Sequence, residues 1–351
     1  MVQNHQINAK DKLSVADELN NEKPSLRPKL LNDFIGQSQI KKNLTVFITA
    51  AKLRDSVLDH VLLSGPPGLG KTTLSDIIAN EMAIKITSTS GPLLVKQGDL
   101  AAILTNLSEN QILFIDEIHR MNRKIEEVLY SAMEDFKLDV IIGKGIGART
   151  LKIDLPKFTL IGATTRMGML SSPLRDRFGI PLRINFYQQK EILAIILRSA
   201  KIFNIKINIK AATEISRRSR GTPRIANRYL KRCRDFSLVA KEDMISEKLV
   251  KRALTELKVD EIGLDELDLT YLKTIAFTYD NAPVGINTLA SALSEDKDTL
   301  EATCEPYLIQ IGFLKKTAQG RILSDKALIY LGVTPPEEKQ LNIPLVGNFK
   351  P

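Results

Sequence analysis

The segment Gly65-Pro66-Pro67-Gly68-Leu69-Gly70-Lys71-Thr72 satisfies G-x-x-x-x-G-K-[ST] at every fixed position. The short apolar run Val61-Leu62-Leu63 precedes it and reads as a strand. Thr73 to Met82 follows and reads as a helix. A strand, a glycine-rich turn and a helix in that order form a phosphate-binding loop. Glycines let backbone N–H groups close around phosphate oxygens, and the helix start adds unpaired donors and a partial positive charge. Lys71 supplies a point charge for the β and γ phosphates, and the Thr72 hydroxyl is placed to ligate Mg²⁺.

Some forty residues on, Ile112-Leu113-Phe114-Ile115-Asp116-Glu117 reads as a strand buried on both faces, hence one of a parallel sheet, with two carboxylates where it emerges. Ligands of parallel sheets bind at that end of the strands. Asp116 suits a Mg²⁺ shell, and Glu117 suits orienting or deprotonating a water. A third strand, Phe158-Thr159-Leu160-Ile161-Gly162-Ala163, ends in Thr164-Thr165, a hydroxyl position facing the γ phosphate or the water. Arginines follow on a short turn, Ser172-Pro173-Leu174-Arg175-Asp176-Arg177-Phe178-Gly179. Others surround a helix start at Arg220-Gly221-Thr222-Pro223-Arg224, with Thr222 as its N-cap. A cation at Arg224 opposes the helix dipole, which points to a bound anion rather than to local stability.

At 351 residues the chain can form two or three cores. No apolar run approaches the roughly 18 residues of a membrane span, and the polar first 25 residues lack the apolar region of a secretory signal. Cys233 and Cys304 lie far apart and three histidines form no cluster, so neither a disulfide framework nor a zinc site is expected. Reduced thiols fit a cytoplasmic protein. The net charge of +9 is uneven. Residues 186–259 hold 18 Lys and Arg against seven Asp and Glu, whereas residues 260–351 hold eight against 14. A basic block of this kind meets a polyanion or an acidic neighbour, or is simply a solvated helical face.

Between the second and third motifs, residues 138–155 have apolar arms around a glycine-rich tip and read as a β-hairpin, with Ile141, Ile142 and Ile146 at or near the tip. Such isoleucines either fold onto the core or stay exposed for a partner. From about Asp260 the pattern changes to short helices: Leu269–Thr278, a second capped by Asn287 and running to Ser294, and a third from near Asp296 to Gln310 with a kink or break at Pro306. Phe313 to Leu323 then forms two short arms around a polar tip. Three helices and a hairpin make a winged-helix pattern, with Lys315, Lys316 and Arg321 on the wing. Winged helices bind DNA or protein, and this one is acidic overall.

Taken together, these stretches resemble the AAA+ ATPases and, within them, the RuvB family of Holliday-junction branch-migration motors. The resemblance runs from about Leu26 to Val333. Its most specific segments are Arg27-Pro28 with Asp33-Phe34-Ile35-Gly36-Gln37, Leu113 to Arg120, Ala132 to Phe136, Gly162 to Arg166, Pro173 to Gly179, Arg217 to Arg224, and Glu305 to Gln310. It implies an α/β fold in five parts: a tail (1–25), a parallel-sheet ATPase domain (26–185), a small helical lid (186–259), a winged-helix domain (260–335) and a C-terminal tail (336–351). It also implies roles. Lys71, Thr72 and Thr73 would hold phosphates and Mg²⁺ in the turn of Gly68 and Gly70, with Asp116 and Glu117 as the second acidic motif. Thr165 and Arg224 would be the two sensors, and Arg177 a finger reaching the next subunit's ATP. Leu26, Arg27, Tyr187 and Glu134-Asp135-Phe136 would line the nucleotide pocket, and Lys316 and Arg321 would contact DNA. Ile141, Ile142 and Ile146 would dock RuvA. The resemblance further implies a hexameric ring on junction and duplex DNA, with RuvC in a resolving complex. A clamp-loader-type ATPase and a nucleotide-gated DNA-binding regulator are the competing readings. Clamp loaders carry Ser-Arg-Cys where this chain has Leu174-Arg175-Asp176-Arg177-Phe178.

Overall fold

The computed structural model describes residues 26–142 and 149–335. The expected tails and Ile146 lie outside the described residues. One compact unit runs through Gly263 and a second begins at Leu264.

The first unit is built on a parallel sheet of five strands: β1 (Val61–Ser64), β2 (Ile86–Ser90), β3 (Gln111–Asp116), a strand at Phe158–Thr164 and another at Ile180–Arg183. With the hairpin strands β4 (Lys137–Ile142) and β5 (Arg149–Asp154) intervening, those last two are β6 and β7. Their order is β2-β3-β6-β1-β7, all neighbours parallel. Every residue of β1 and β6 is buried, which explains the unbroken apolar runs. Side chains alternate between two cores. Val61, Leu63, Ile112, Phe114, Ile161 and Ala163 enter one, and Leu62, Leu113, Ile115 and Leu160 enter the other.

Helix α1 (Ser38–Leu53) and helix α2 (Lys71–Met82) cover the first face. Leu74, Ile77 and Ile78 of α2 are fully buried, each contributing roughly 1.5–3 kcal/mol. That anchors the helix whose start forms the phosphate loop. Helices α3 (Gln97–Thr105) and α4 (Arg123–Glu134) cover the second face. The hairpin is antiparallel, pairing Leu138 with Ile153 and Ile142 with Arg149. Leu138 and Leu155 at its base are buried, while Leu151 toward the tip is 49% exposed. The base therefore belongs to the core and the arm leaves it. A short helix, α5 (Ser172–Asp176), precedes β7 and puts Arg177 at its C-terminal end.

Four helices complete this unit: α6 (Gln189–Ile202), α7 (Ile209–Arg218), α8 (Pro223–Ala240) and α9 (Glu247–Glu256). Ile192, Ile196, Ile215, Leu230, Val250 and Leu254 bury their apolar stripes in the same core as the first face of the sheet. The basic block is partly absorbed by local pairs. Arg217 and Arg218 pair with Glu214, Lys251 with Glu247 and Arg252 with Glu256. Thr222 stands at the N-cap of α8 as expected, but its hydroxyl does not cap the helix; it donates to Arg220 O at 3.2 Å. A first-turn donor goes elsewhere, Arg224 N to Gly68 O at 3.3 Å, so the lid helix starts on the phosphate loop.

The second unit holds α10 (Glu266–Lys273), α11 (Ile286–Leu293), α12 (Glu305–Gln310), the two-stranded sheet β8 (Leu314–Lys316) and β9 (Arg321–Leu323), and α13 (Asp325–Tyr330). Three expectations need correction. The first helix starts at Glu266, because Asp265 and Asp268 form a reciprocal capping box. Asn287 does not cap α11, whose N-cap is Gly285. Pro306 does not break the third helix. The chain runs through a π-helical segment, Leu300–Cys304, directly into α12, where Pro306 lies in the first turn. The wider turn before the ring accommodates its missing N–H.

Candidate nucleotide site

The order β3-β6-β1 sets three chain segments side by side at the carboxyl ends of the strands: Asp116-Glu117, Thr164-Thr165 and the glycine-rich turn. Ser64 of β1 is in register with Thr164, and Ile115 with Gly162. Motifs forty and a hundred residues apart thus meet through sheet order alone.

The turn needs its glycines. Gly65 has φ +143° and a Cβ there would lie 2.3 Å from Ile184 O. Gly68 has φ +80°, and its Cβ would meet Thr222 and Arg224 side chains at 2.9–3.0 Å. The second contact explains why the turn and the lid helix can approach so closely. Lys71 is buried and donates to Gly65 O at 2.8 Å and Pro66 O at 3.0 Å. Burial lowers its pKa to about 8, with Glu117 and Asp116 opposing that shift and Arg224 adding to it. Thr72 Oγ1 donates to Asp116 Oδ2 at 3.4 Å, and Glu117 N donates to Asp116 Oδ1 at 2.9 Å.

A cavity of about 290 Å³ opens over the loop. Leu26, Arg27, Gly68, Gly70, Lys71, Thr72, Thr73, Asp116, Glu117, Tyr187 and Arg224 all line it. Among the described residues no carboxylate forms an ion pair with Arg224. Tyr187 donates to Leu69 O at 3.1 Å, and burial raises its pKa above the ordinary tyrosine value. Arg27 pairs with Asp76 at 3.2 Å.

Thr165 stands beside the cavity and donates to Glu117 Oε2 at 3.3 Å. Four expected pocket residues lie elsewhere in the copy. Glu134, Asp135, Phe136 and Arg177 do not line this cavity. Arg177 donates to Glu134 Oε2 at 2.7 Å and to Pro173 O at 2.8 Å, and its guanidinium lies over the Tyr130 ring. Phe136 packs against Phe158 and His60. In the winged-helix unit Arg321 donates to Glu305 at 2.8 Å and Glu301 at 2.9 Å, and Lys316 pairs with Glu305. The side chains at Ile141 and Ile142 are outside the described residues, although both positions belong to β4.

Sequence reasoning missed several residues here. Phe34, Arg198 and Asn227 also line the cavity. Asn227 follows Arg224 by three positions on α8, a helical spacing that signals a shared face. Arg198 Nη1 holds Leu26 O at 2.9 Å. His119 is buried between Glu117 and Thr164, and burial lowers its pKa, against the opposing pull of Glu117.

Family profiles match the chain in three consecutive stretches. Residues 26–184 match the Holliday junction DNA helicase RuvB P-loop domain, residues 187–260 the RuvB AAA lid domain, and residues 261–332 the RuvB C-terminal winged helix domain. Two curated relatives carry the name Holliday junction branch migration complex subunit RuvB. The one from Orientia tsutsugamushi is 57% identical over 87% of this chain and 94% of its own length. The one from Ehrlichia ruminantium (strain Gardel) is 57% identical over 88% and 92%. Among solved structures, the Thermotoga maritima RuvB Holliday junction branch migration motor superposes with a TM-score of 0.82. It is 52% identical over 89% of this chain and 99% of that one. A point variant of the same protein gives 0.83.

Proposed function

The chain belongs to the RuvB family of AAA+ P-loop ATPases, and from that premise we propose that it hydrolyses ATP to drive branch migration of Holliday junctions. The observation that carries the chemistry is the convergence of Lys71, Thr72, Asp116, Glu117 and Arg224 on one cavity, with Thr165 hydrogen-bonded to Glu117. The loop N–H groups, Lys71 and Arg224 bind the triphosphate. Glu117 orients or deprotonates the attacking water, and Thr165 holds the carboxylate that does so. Thr72 and Asp116 offer a hydroxyl and a carboxylate oxygen, donors that Mg²⁺ accepts together with water and phosphate oxygens. A magnesium ion bound by them would neutralise charge on the transferring phosphoryl group.

The proposed machine is a hexameric ring. Arg177, held away from the cavity of its own copy, serves the ATP of a neighbour, and Glu134, Asp135 and Phe136 reach that same pocket from outside. We take residues 26–185 as the ATPase domain, 186–259 as the lid and 260–335 as the winged-helix domain. The hairpin docks RuvA through Ile141, Ile142 and Ile146, which accords with apolar exposure rising along its arm. Lys316 and Arg321 of the wing meet DNA phosphates, and RuvC joins a resolving complex in the cytoplasm. The test is ATP turnover and strand exchange on four-way junctions, with and without RuvA. ATP-dependent exchange that Lys71→Ala abolishes is expected. Turnover without exchange, or sequence-selective binding to short duplexes alone, overturns the motor reading.

A further inference from the structure

We propose that His119 is a positioning residue for hydrolysis: it transmits the orientation of Thr164, at the end of β6, to the Glu117 carboxylate. The inference rests on the reading of Glu117 as the group that prepares the water.

Glu117 has φ +48°, a left-handed backbone that lets the chain turn sharply off β3 and aims the side chain back across the strand ends. On the far side of that turn His119 is buried, with 7% of its surface exposed. Its two ring nitrogens have different partners. Nδ1 lies 3.0 Å from Thr164 Oγ1, and Nε2 lies 3.3 Å from Glu117 Oε2.

The Glu117 carboxylate beside Nε2 decides which nitrogen carries the proton, because its oxygens only accept. Thr164 Oγ1 accepts from Arg166 N at 3.0 Å. Its hydroxyl hydrogen remains for donation to His119 Nδ1. Nδ1 then accepts from Thr164, and the Nε2 hydrogen faces Glu117 Oε2 across the 3.3 Å contact. Thr165 donates to that same oxygen at 3.3 Å. The Thr165 hydroxyl and the His119 ring edge therefore flank Oε2 from two segments and set the orientation of the carboxylate. Both contacts depend on the end of β6: Thr165 directly, His119 through Thr164. A displacement of that strand end turns the carboxylate.

The test uses the full chain and compares His119→Phe, His119→Gln and Thr164→Val by steady-state kinetics, ATP affinity and melting temperature. Phenylalanine keeps a ring and removes the donor, whereas glutamine returns an amide N–H. Valine keeps the β-branched shape of a fully buried strand residue without the hydroxyl. His119→Phe is expected to lower kcat roughly 10- to 100-fold, the usual effect of losing a group that orients a reactive one, with KM and ATP affinity near those of the parent. His119→Gln recovers most of that loss, and Thr164→Val gives an intermediate value. In a Glu117→Gln background His119→Phe adds little, because the two act as one unit. A His119→Phe enzyme with kcat within about twofold of the parent overturns the proposal, as does a Gln variant as slow as the Phe variant. A loss confined to ATP affinity or melting temperature also overturns it. A parent chain that turns over no ATP overturns the ATPase reading as well, which separates the two failures.

Discussion

The nucleotide cavity and the wing both gather cations, but they treat them oppositely. At the cavity Lys71 faces backbone carbonyls, and no described carboxylate pairs with Arg224. On the wing Lys316 and Arg321 converge on Glu305, a carboxylate with 1% of its side chain exposed. Tyr271 also donates to Glu305, at 3.0 Å. Burial alone would raise the pKa of Glu305, but hydrogen bonds from Arg321 and Lys316 hold it below the ordinary value. A cavity lined by Arg224, which has no described carboxylate partner, suits an external anion. A wing whose cations meet a buried anion has its charge balanced internally, and part of that charge is structural.

Arg177 stands between the two and offers the sharpest break. It too pairs with a carboxylate, but Glu134 is 62% exposed. Exposed pairs of that kind contribute about 0–1 kcal/mol, so Arg177 is easily released to another partner. Arg177→Ala is expected to leave ATP affinity intact and to lower kcat by roughly 10³- to 10⁵-fold, the range for an arginine supplied to a phosphoryl-transfer site. Titrating an Arg177→Ala chain into a Glu117→Gln chain, which keeps the arginine, checks the direction. Mixed assemblies recover activity only where the arginine of one copy serves the site of another.

Arg321→Met tests the other side of the contrast. Removing one partner of a buried pair leaves an undercompensated charge and costs roughly 3–5 kcal/mol. The winged-helix unit of this variant is expected to melt well below that of the parent by calorimetry. A variant with unchanged melting and reduced DNA affinity would show that Arg321 spends its charge outward, and the contrast with the cavity would disappear.

A smaller effect follows from Lys71. Its lowered pKa, about 8, means that the unliganded site begins to lose the lysine proton above that pH, whereas a bound triphosphate holds it on. ATP binding then takes up a proton. Affinity is expected to be flat below about pH 8 and to fall up to about tenfold per pH unit above it, as read by calorimetric titration. For folding the sign is reversed. Between about 8 and the ordinary lysine value the unfolded chain holds the proton and the unliganded folded chain does not, so stability rises with pH across that window.

How much of this was legible in the sequence depended on whether a residue's identity was forced locally. The glycines, Lys71 and Thr72 were legible because few residues tolerate those angles and that chemistry, and the apolar runs of β1, β3 and β6 because parallel strands are buried on both faces. Failures began where distant partners decide. Thr222 read as a capping side chain, but contact with Gly68 brings the helix start onto the phosphate loop and the hydroxyl turns to Arg220. Pro306 read as a kink or break, but the helix is not broken there, because a π-helical segment leads directly into it. Glu134-Asp135-Phe136, expected in a nucleotide pocket, faces Arg177 and the His60 cluster within one copy, so the pocket it would serve belongs to a second copy. His119 lay in a stretch that marked the family, but nothing in it marked the role proposed here: that rests on a hydroxyl of β6, 45 positions away, that only sheet order brings near. Nor could the wing's motif reveal a buried counterion, because Glu305 lies on a preceding helix and only the fold brings it to Lys316 and Arg321.

The smallest expected effect is at Lys316, and it decides how far the two regions differ. Its side chain is 44% exposed although its ammonium reaches Glu305. Glu305 keeps Arg321 and Tyr271 when Lys316 is neutralised, so Lys316→Gln should cost at most about 1 kcal/mol in stability. If the ammonium also meets a DNA phosphate, the plot of log affinity against log salt should lose roughly 0.9 from its slope, one counterion's worth, at every sequence tested. A loss of stability close to that of Arg321→Met, with an unchanged salt slope, would place Lys316 wholly inside the internal balance. The wing would then carry its DNA contact at Lys315, whose side chain lies on the same strand with no described ion pair.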